Sequence, residues 1–277
     1  MALPQTPGRP RREPILHLPR VVTLAIIVLL GLHAVRTGLL SQEEDVTTLI
    51  DFALVPARWT VAVDPARAED VLRAAGDGAL DQASNLRLAL ARYVVANAEP
   101  AWTTFATYAL LHGSWAHVIL NAAWLAAFGA PIARRCGAWR FAALLSLGAV
   151  AGGAAHVALY PLSVAPLIGA SAGVSALTAA AARFVFAPSL RERGLLVDDE
   201  IHLRPRQSLA QVLANRRATL FIGVWLLTNA LFGALGTPLD VADAGIAWEA
   251  HLGGFLTGFV LFPLLDPFAR PSDRRTA

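Results

Sequence analysis

The feature that most constrains this chain is the length of its uncharged runs. Val21–Val35, Ala101–Ala133, Phe141–Ala182, Ala218–Leu239 and Ala250–Leu265 contain no Asp, Glu, Lys or Arg over 15, 33, 42, 22 and 16 residues. A transmembrane helix takes about 20 largely apolar residues. The first run reaches Leu40 if Arg36 snorkels to the interface. The second holds one span plus an entry segment, and the third holds two, broken at Tyr160–Pro166 where two prolines punctuate the pattern. The fourth holds one, and the fifth makes one by reaching back past Glu249 to about Ala244. The prediction is an all-α, six-transmembrane-helix bundle over 21–266 with tails at 1–20 and 267–277. Long loops fall at about 41–101 and 188–217.

Composition agrees. Hydrophobic residues make up 56% of the 277 and charged residues only 16%, against roughly 25% charged in soluble domains. That excludes a soluble globule and a disordered chain alike. The single cysteine, Cys136, excludes an intrachain disulfide. Basic residues ahead of the first run suggest a secretory signal. The length of the run and the lack of a small-residue cleavage site after Val35 favour a retained helix.

The net charge is +3, and all 23 basic residues are arginine. They cluster at the ends of apolar runs without interleaved aromatics, which points to membrane orientation and not to nucleic acid. Arg9, Arg11, Arg12, Arg20, Arg134, Arg135, Arg140, Arg191, Arg193, Arg204, Arg206, Arg216, Arg217, Arg270, Arg274 and Arg275 fall on one side of a six-span chain. The 41–101 segment carries five arginines against ten acids. Both termini are therefore expected in the cytoplasm, with 41–101 outside and Cys136 on the reducing side. The predicted placement is a bacterial inner membrane. Within 41–101, Pro65–Ala75 and Ala83–Val95 have helical composition. They read as short helices on the outer membrane surface, with a small separately packed subdomain as the alternative.

Polar groups inside spans are costly and mark function by default. The second span carries His112-Gly-Ser-Trp-Ala-His117-Val-Ile-Leu-Asn121, and the spacing sets His117 and Asn121 on one helix face. The fourth opens with Gly169-Ala-Ser171-Ala-Gly173, where glycines allow a sharp turn and close helix approach. Ser175, four residues on, competes for the same role. The sixth carries His251-Leu-Gly-Gly254-Phe-Leu-Thr-Gly258, and Gly254 and Gly258 form a small-xxx-small surface beside the histidine. Each motif alone also fits plain helix packing. Together they fill the roles of acyl transfer. Ser171 supplies a nucleophile and His251 a base to take its proton. His117, Asn121 and the Ser171 backbone N–H supply donors for an oxyanion. No acid completes a triad: Glu249 points to another face of its helix, and Asp240 and Asp243 precede the span. The sequence has no His-Glu-x-x-His, and His112 and His117 are five apart, so no metal site is expected.

The ordered set His-x4-His-x3-Asn, Gly-x-Ser and Ala-His-x-x-Gly resembles the rhomboid family of intramembrane serine proteases over roughly residues 99–266. The resemblance implies Ser171 as nucleophile, His251 as general base, His117 and Asn121 as oxyanion groups and His112 in a structural role. It also implies transmembrane protein substrates entering laterally near spans two and five, contact with the lipid bilayer, and no cofactor. Three positions depart from the common pattern. Ala172 follows the serine where many relatives have Gly. Ser175 stands where some have an aromatic stacked on the base. Trp102 precedes Thr103 where a Trp-Arg pair is usual. An inactive rhomboid-like binding or chaperone protein is the alternative, and such relatives usually lack the serine or the histidine. An unrelated small transporter is disfavoured by the absence of repeats.

Overall fold

In lipid there is little hydrophobic force between helices, so close backbone packing and buried hydrogen bonds hold a bundle together. The computed structural model, which describes residues 18–77, 82–189, 200–235 and 247–268, is built in that way. Its main helices are α1 (Arg20–Gly38), α2 (Trp115–Cys136), α3 (Ala138–Leu159), α4 (Ser171–Val185), α5 (Arg216–Leu235) and α6 (Trp248–Leu265). Four of them, α1, α2, α3 and α6, are long and apolar enough to cross a membrane. Among the described residues there is no strand; the only pairing of that kind is an isolated antiparallel bridge, Leu54 to Leu167. Most of the two tails, Arg191, Arg193, Asp240, Asp243 and Ala244 lie outside the described residues.

The centre of the bundle is α4. Every residue from Ala172 to Phe184 is buried, enclosed by α3 and α6. Its alanines leave room for backbones to meet. At Gly254 and Gly258 of α6 an added Cβ would run into the backbone carbonyls of Ala172 and Ala176. Any side chain at those two positions would push α6 off α4. The predicted break after the third span is where α3 ends, at Leu159. The sixth helix begins at Trp248, with Glu249 in its first turn.

The 41–101 segment is more structured than its sequence suggests. Pro65–Ala75 resolves into a 3-10 turn, Pro65–Arg67, and a helix, Ala68–Gly76. The second expected helix is Gln82–Ala96. Gln42–Phe52 and Pro56–Val63 are also helical. The first of these starts at a capping box in which Ser41 and Glu44 bond reciprocally. The Ser41 backbone N–H and hydroxyl hold the exposed Glu44 carboxyl below its ordinary range. Val55, Ala57, Val61, Val71, Ala75, Ala91 and Val94 form one core with Val164 of the α3–α4 connection. The helices thus bury their apolar faces on one another. The segment grips the chain just ahead of α4. Leu54 and Leu167 exchange backbone hydrogen bonds of 3.2 and 2.9 Å, the Ala57 N–H donates to the Ser163 carbonyl at 2.9 Å, and the Thr60 hydroxyl donates to the Pro161 carbonyl at 2.6 Å.

Two buried arginines tie the ends of the bundle. Arg36 does not extend along α1 as a snorkelling residue. It binds both Asp45 oxygens, at 2.7 and 3.2 Å, and donates to the His112 carbonyl at 3.0 Å. Arg135 in α2 makes a two-point bond to Asp266, at 2.9 and 3.0 Å, and donates to the carbonyls of His202 and Arg204 at 2.8 Å each. The side chains of Arg135 and Asp266 are 1% and 0% exposed. Removing one partner of such a pair leaves a buried charge uncompensated. Arg135→Ala should cost about 3–5 kcal/mol of stability, whereas the joint Arg135→Met, Asp266→Leu replacement should cost clearly less. Thermal unfolding in detergent checks this, and equal losses in the two variants would contradict it.

Candidate active site

Ser171 is the first residue of α4, and the turn before it is set by Gly169 at φ +117°. Only glycine adopts that backbone without strain. The Gly169 N–H donates to the Tyr108 carbonyl at 3.0 Å, and the Ala170 N–H donates to His112 Nε2 at 3.4 Å. A Cβ on Gly169 would lie 2.8 Å from His117 Nε2 and 3.7 Å from Ser171 Oγ. The His117 ring and the Ser171 hydroxyl therefore flank one small volume. No side chain caps the start of α4, so its first-turn N–H groups open toward that volume with the positive end of the helix behind them. Ser175 is turned away from this chemistry: its hydroxyl donates to the Ser171 carbonyl at 2.7 Å.

His251 is reached through the close contact of α6 with α4. Its Nε2 lies 2.6 Å from Ser171 Oγ. Its Nδ1 lies 2.6 Å from Asn229 Oδ1 on α5. Sequence reasoning found Ser171 and His251 and missed Asn229. The signal was present, since Asn229 is an amide inside an uncharged run of spanning length. It lies on a span with no other motif, and it is an amide where a third group is ordinarily an acid. Glu249 indeed points elsewhere, and its carboxylate lies 2.5 Å from His156 Nδ1 on α3.

The α2 residues meet the same region from the opposite side. Ser114 accepts the His117 N–H at 3.2 Å and starts the helix. His117 and Asn121 sit one turn apart, and Asn121 Nδ2 donates to the His117 carbonyl at 3.1 Å. The second hydrogen on that nitrogen is left for another acceptor. His117 Nδ1 is buried with no hydrogen-bond partner. His112 stands edge-on to His117, with ring centres 5.0 Å apart, and links the Ala170 turn to Arg36. Gly173, in the first turn of α4, faces the Leu145 carbonyl of α3 so closely that a Cβ would overlap it. Ser171 and His251 thus meet where α4 packs on α6, the His117 ring lies beside the Gly169 turn, Asn121 is bonded to the His117 carbonyl, and Gly173 serves the α3–α4 contact. Among the described residues, no three His, Cys, Asp or Glu side chains gather into a metal-binding group.

An imidazole nitrogen at hydrogen-bond distance from a serine hydroxyl can take its proton as the oxygen attacks an electrophile. A serine so placed should react with a fluorophosphonate. Gly169→Ala should leave the bundle folded while lowering that labelling rate about 10²-fold, because a Cβ both strains the turn and pushes on the His117 ring. Wild-type labelling in a folded Gly169→Ala variant would contradict this account of the turn.

Comparison with known proteins bears on the whole arrangement. No curated protein matches the chain. A family model, Rhomboid domain, matches residues 99–267. The match takes in well over half of the 277 residues and spans every element from the approach to α2 to the end of α6, so the chain belongs to the rhomboid family.

Proposed function

We propose that the protein is an intramembrane serine endopeptidase that cleaves transmembrane protein substrates. The observation that carries the reading is the 2.6 Å contact of Ser171 Oγ with His251 Nε2 at the start of a buried helix. In the proposed reaction, Ser171 Oγ attacks the scissile carbonyl carbon while His251 Nε2 takes the hydroxyl proton. The carbonyl oxygen becomes an oxyanion stabilised by the Ser171 backbone N–H, His117 and Asn121. As the C–N bond breaks, His251 passes the proton to the leaving amine. Water, giving its proton to His251, then attacks the acyl carbon, and His251 passes that proton to Ser171 Oγ as the acyl–oxygen bond breaks. No cofactor enters this scheme. Both Ser171 and His251 are partly exposed, which supports access of water to the bond.

The proposed topology is six spans, α1 to α6, within a membrane domain over 21–266. The N-terminal tail 1–20, the loop at about 188–217 and the tail 267–277 are assigned to the cytoplasm, and 41–101 to the outside of a bacterial inner membrane. The depth of the site follows from helix length. The 15 residues of α4 rise about 22 Å, against roughly 30 Å of hydrocarbon. Such a helix, with its other end at the cytoplasmic face, starts below the outer surface. Non-helical backbone at that depth is tolerated only where protein buries it or it lines a cavity. The grip of 41–101 on the 160–170 connection meets that condition.

Two experiments test the proposal. Reconstituted protein should cleave a transmembrane substrate. Ser171→Ala and His251→Ala should each fall to background, because the two act as a unit. Asn121→Ala removes one oxyanion donor and should retain a rate about 10²–10³-fold lower. Ser175→Ala should stay near wild type. A folded Ser171→Ala variant that still cleaves would make the protein a rhomboid-like binder or chaperone with no serine chemistry of its own. For topology, an impermeant thiol reagent should label Asp77→Cys in intact cells. It should label Glu200→Cys only after permeabilisation. The native thiol gives no background, since Cys136 is 2% exposed. The reverse pattern would overturn the orientation.

A further inference from the structure

Three features of α5 and α6 converge on the far side of the imidazole. Asn229 Oδ1 faces His251 Nδ1 at 2.6 Å. The Asn229 amide is itself fixed, because its Nδ2 donates to the Trp225 carbonyl one turn earlier at 2.7 Å. One turn along both helices, the Trp225 ring stacks on Phe255, with centres 4.5 Å apart and planes 25° apart. The pairs Asn229–His251 and Trp225–Phe255 are thus successive rungs between antiparallel helices.

The chemistry of these rungs dictates a tautomer. With Nδ2 committed to a carbonyl acceptor, the atom presented to His251 is the amide oxygen, which can only accept. A hydrogen bond there requires the proton of the neutral imidazole to sit on Nδ1. Nε2 then carries the lone pair, and the Ser171 hydroxyl must donate to it. The opposite tautomer would place an N–H against Ser171 Oγ and could take no proton from it. No aromatic ring one turn after Ser171 holds the imidazole from the α4 side. That position is Ser175, whose hydroxyl is committed to the Ser171 carbonyl.

Resting on the protease reading, we infer that Asn229 is the positioning residue of the site: it locks His251 in the Nδ1–H tautomer and orients Nε2 toward Ser171. The Ser–His pair thereby gains a neutral third group that orients the imidazole and takes no proton. Asn229 does not touch substrate, so its loss should act on turnover. In a soluble serine protease, the wrong histidine tautomer costs about 10⁴ in kcat. Replacing Asn229 frees the ring without enforcing the wrong form. Asn229→Leu, close to the same size, should therefore lower kcat by about 10²-fold with KM little changed.

The test joins kinetics to nitrogen NMR of the histidine-labelled protein in micelles, with His251→Ala used to assign the resonances. In the wild type, His251 should carry its proton on Nδ1, with Nε2 bare. In Asn229→Leu and Asn229→Ala, the Nε2–H form should become populated as kcat falls. A packing role alone would not move the tautomer. A wild-type His251 protonated on Nε2 overturns the inference, even if no variant folds. A folded Asn229→Leu protein with wild-type kcat and an unchanged tautomer also overturns it. Failure of the protease reading is a separate result, seen as cleavage that survives in Ser171→Ala. The wild-type tautomer still decides whether Asn229 orients the ring.

Discussion

The structure depends on how closely α6 can lie against α4. Two glycines, Gly254 and Gly258, set their Cα atoms against the carbonyls of Ala172 and Ala176 with no room for a methyl group. Neither helix needs polar side chains at this seam, because backbone contact supplies the dispersion energy that lipid cannot. The chemical consequence lies at the top of the seam. His251 is three residues ahead of Gly254, and Ser171 one ahead of Ala172, so the spacing that closes the helices also closes Nε2 on Oγ. A bulkier residue at Gly254 would displace the histidine before it unfolded anything.

What the seam fixes in one direction, the connection ahead of α4 fixes in the other. Ser171 is useful only if the backbone arrives at the helix start in one conformation. The 160–170 segment has little regular structure of its own. Its conformation is imposed by neighbours: Thr60 and Ala57 hold the early part, Leu54 pairs with Leu167, and Tyr108 and His112 bond to Gly169 and Ala170. Arg36 then joins α1 and the Gln42–Phe52 helix to the His112 carbonyl. The long loop therefore belongs to the site as a scaffold, through a chain of hydrogen bonds ending at Ala170, one residue before Ser171.

Much of this was legible in the sequence, for reasons that can be separated. The lengths of uncharged runs reflect the bilayer, and four of the helices they predict are long and apolar enough to cross one. Ser171, His251, His117 and Asn121 stood out because polar groups in apolar runs are rare and their neighbours were glycines or helix-spaced partners. The 41–101 segment read poorly. Its helices are short and their apolar faces meet each other and Val164, a tertiary fact with no signature in any one helix. Even so, Ser41-x-x-Glu44 was a capping box in plain view. Arg36 was expected to reach for the interface; Asp45, nine residues away, offered a closer partner. Asn229 was missed because a triad suggests an acid, and because the residue that needs it lies 22 positions later on a different helix.

A neutral third residue fits its surroundings better than an acid would. A carboxylate facing His251 between α5 and α6 would be a charge in a region of low dielectric, and desolvating it costs several kcal/mol. An amide oxygen asks for far less. Its partner N–H on the imidazole satisfies it, and the other half of the amide is satisfied within its own helix. In the proposed acyl transfer, the imidazolium would be stabilised by a dipole already aligned, needing no reorganisation at the moment of reaction. The outer face of α5 exposes Leu220, Val224, Leu227 and Leu231 along one stripe. The helix is held on its inner side by Trp225, Asn229 and Phe221, the last against Phe128 and Phe186. A movement of α5 away from α6 would therefore break the Asn229 bond along with the Trp225 stack, and the His251 ring would lose its orientation. The position of one helix and the protonation pattern of the histidine are set by the same two contacts.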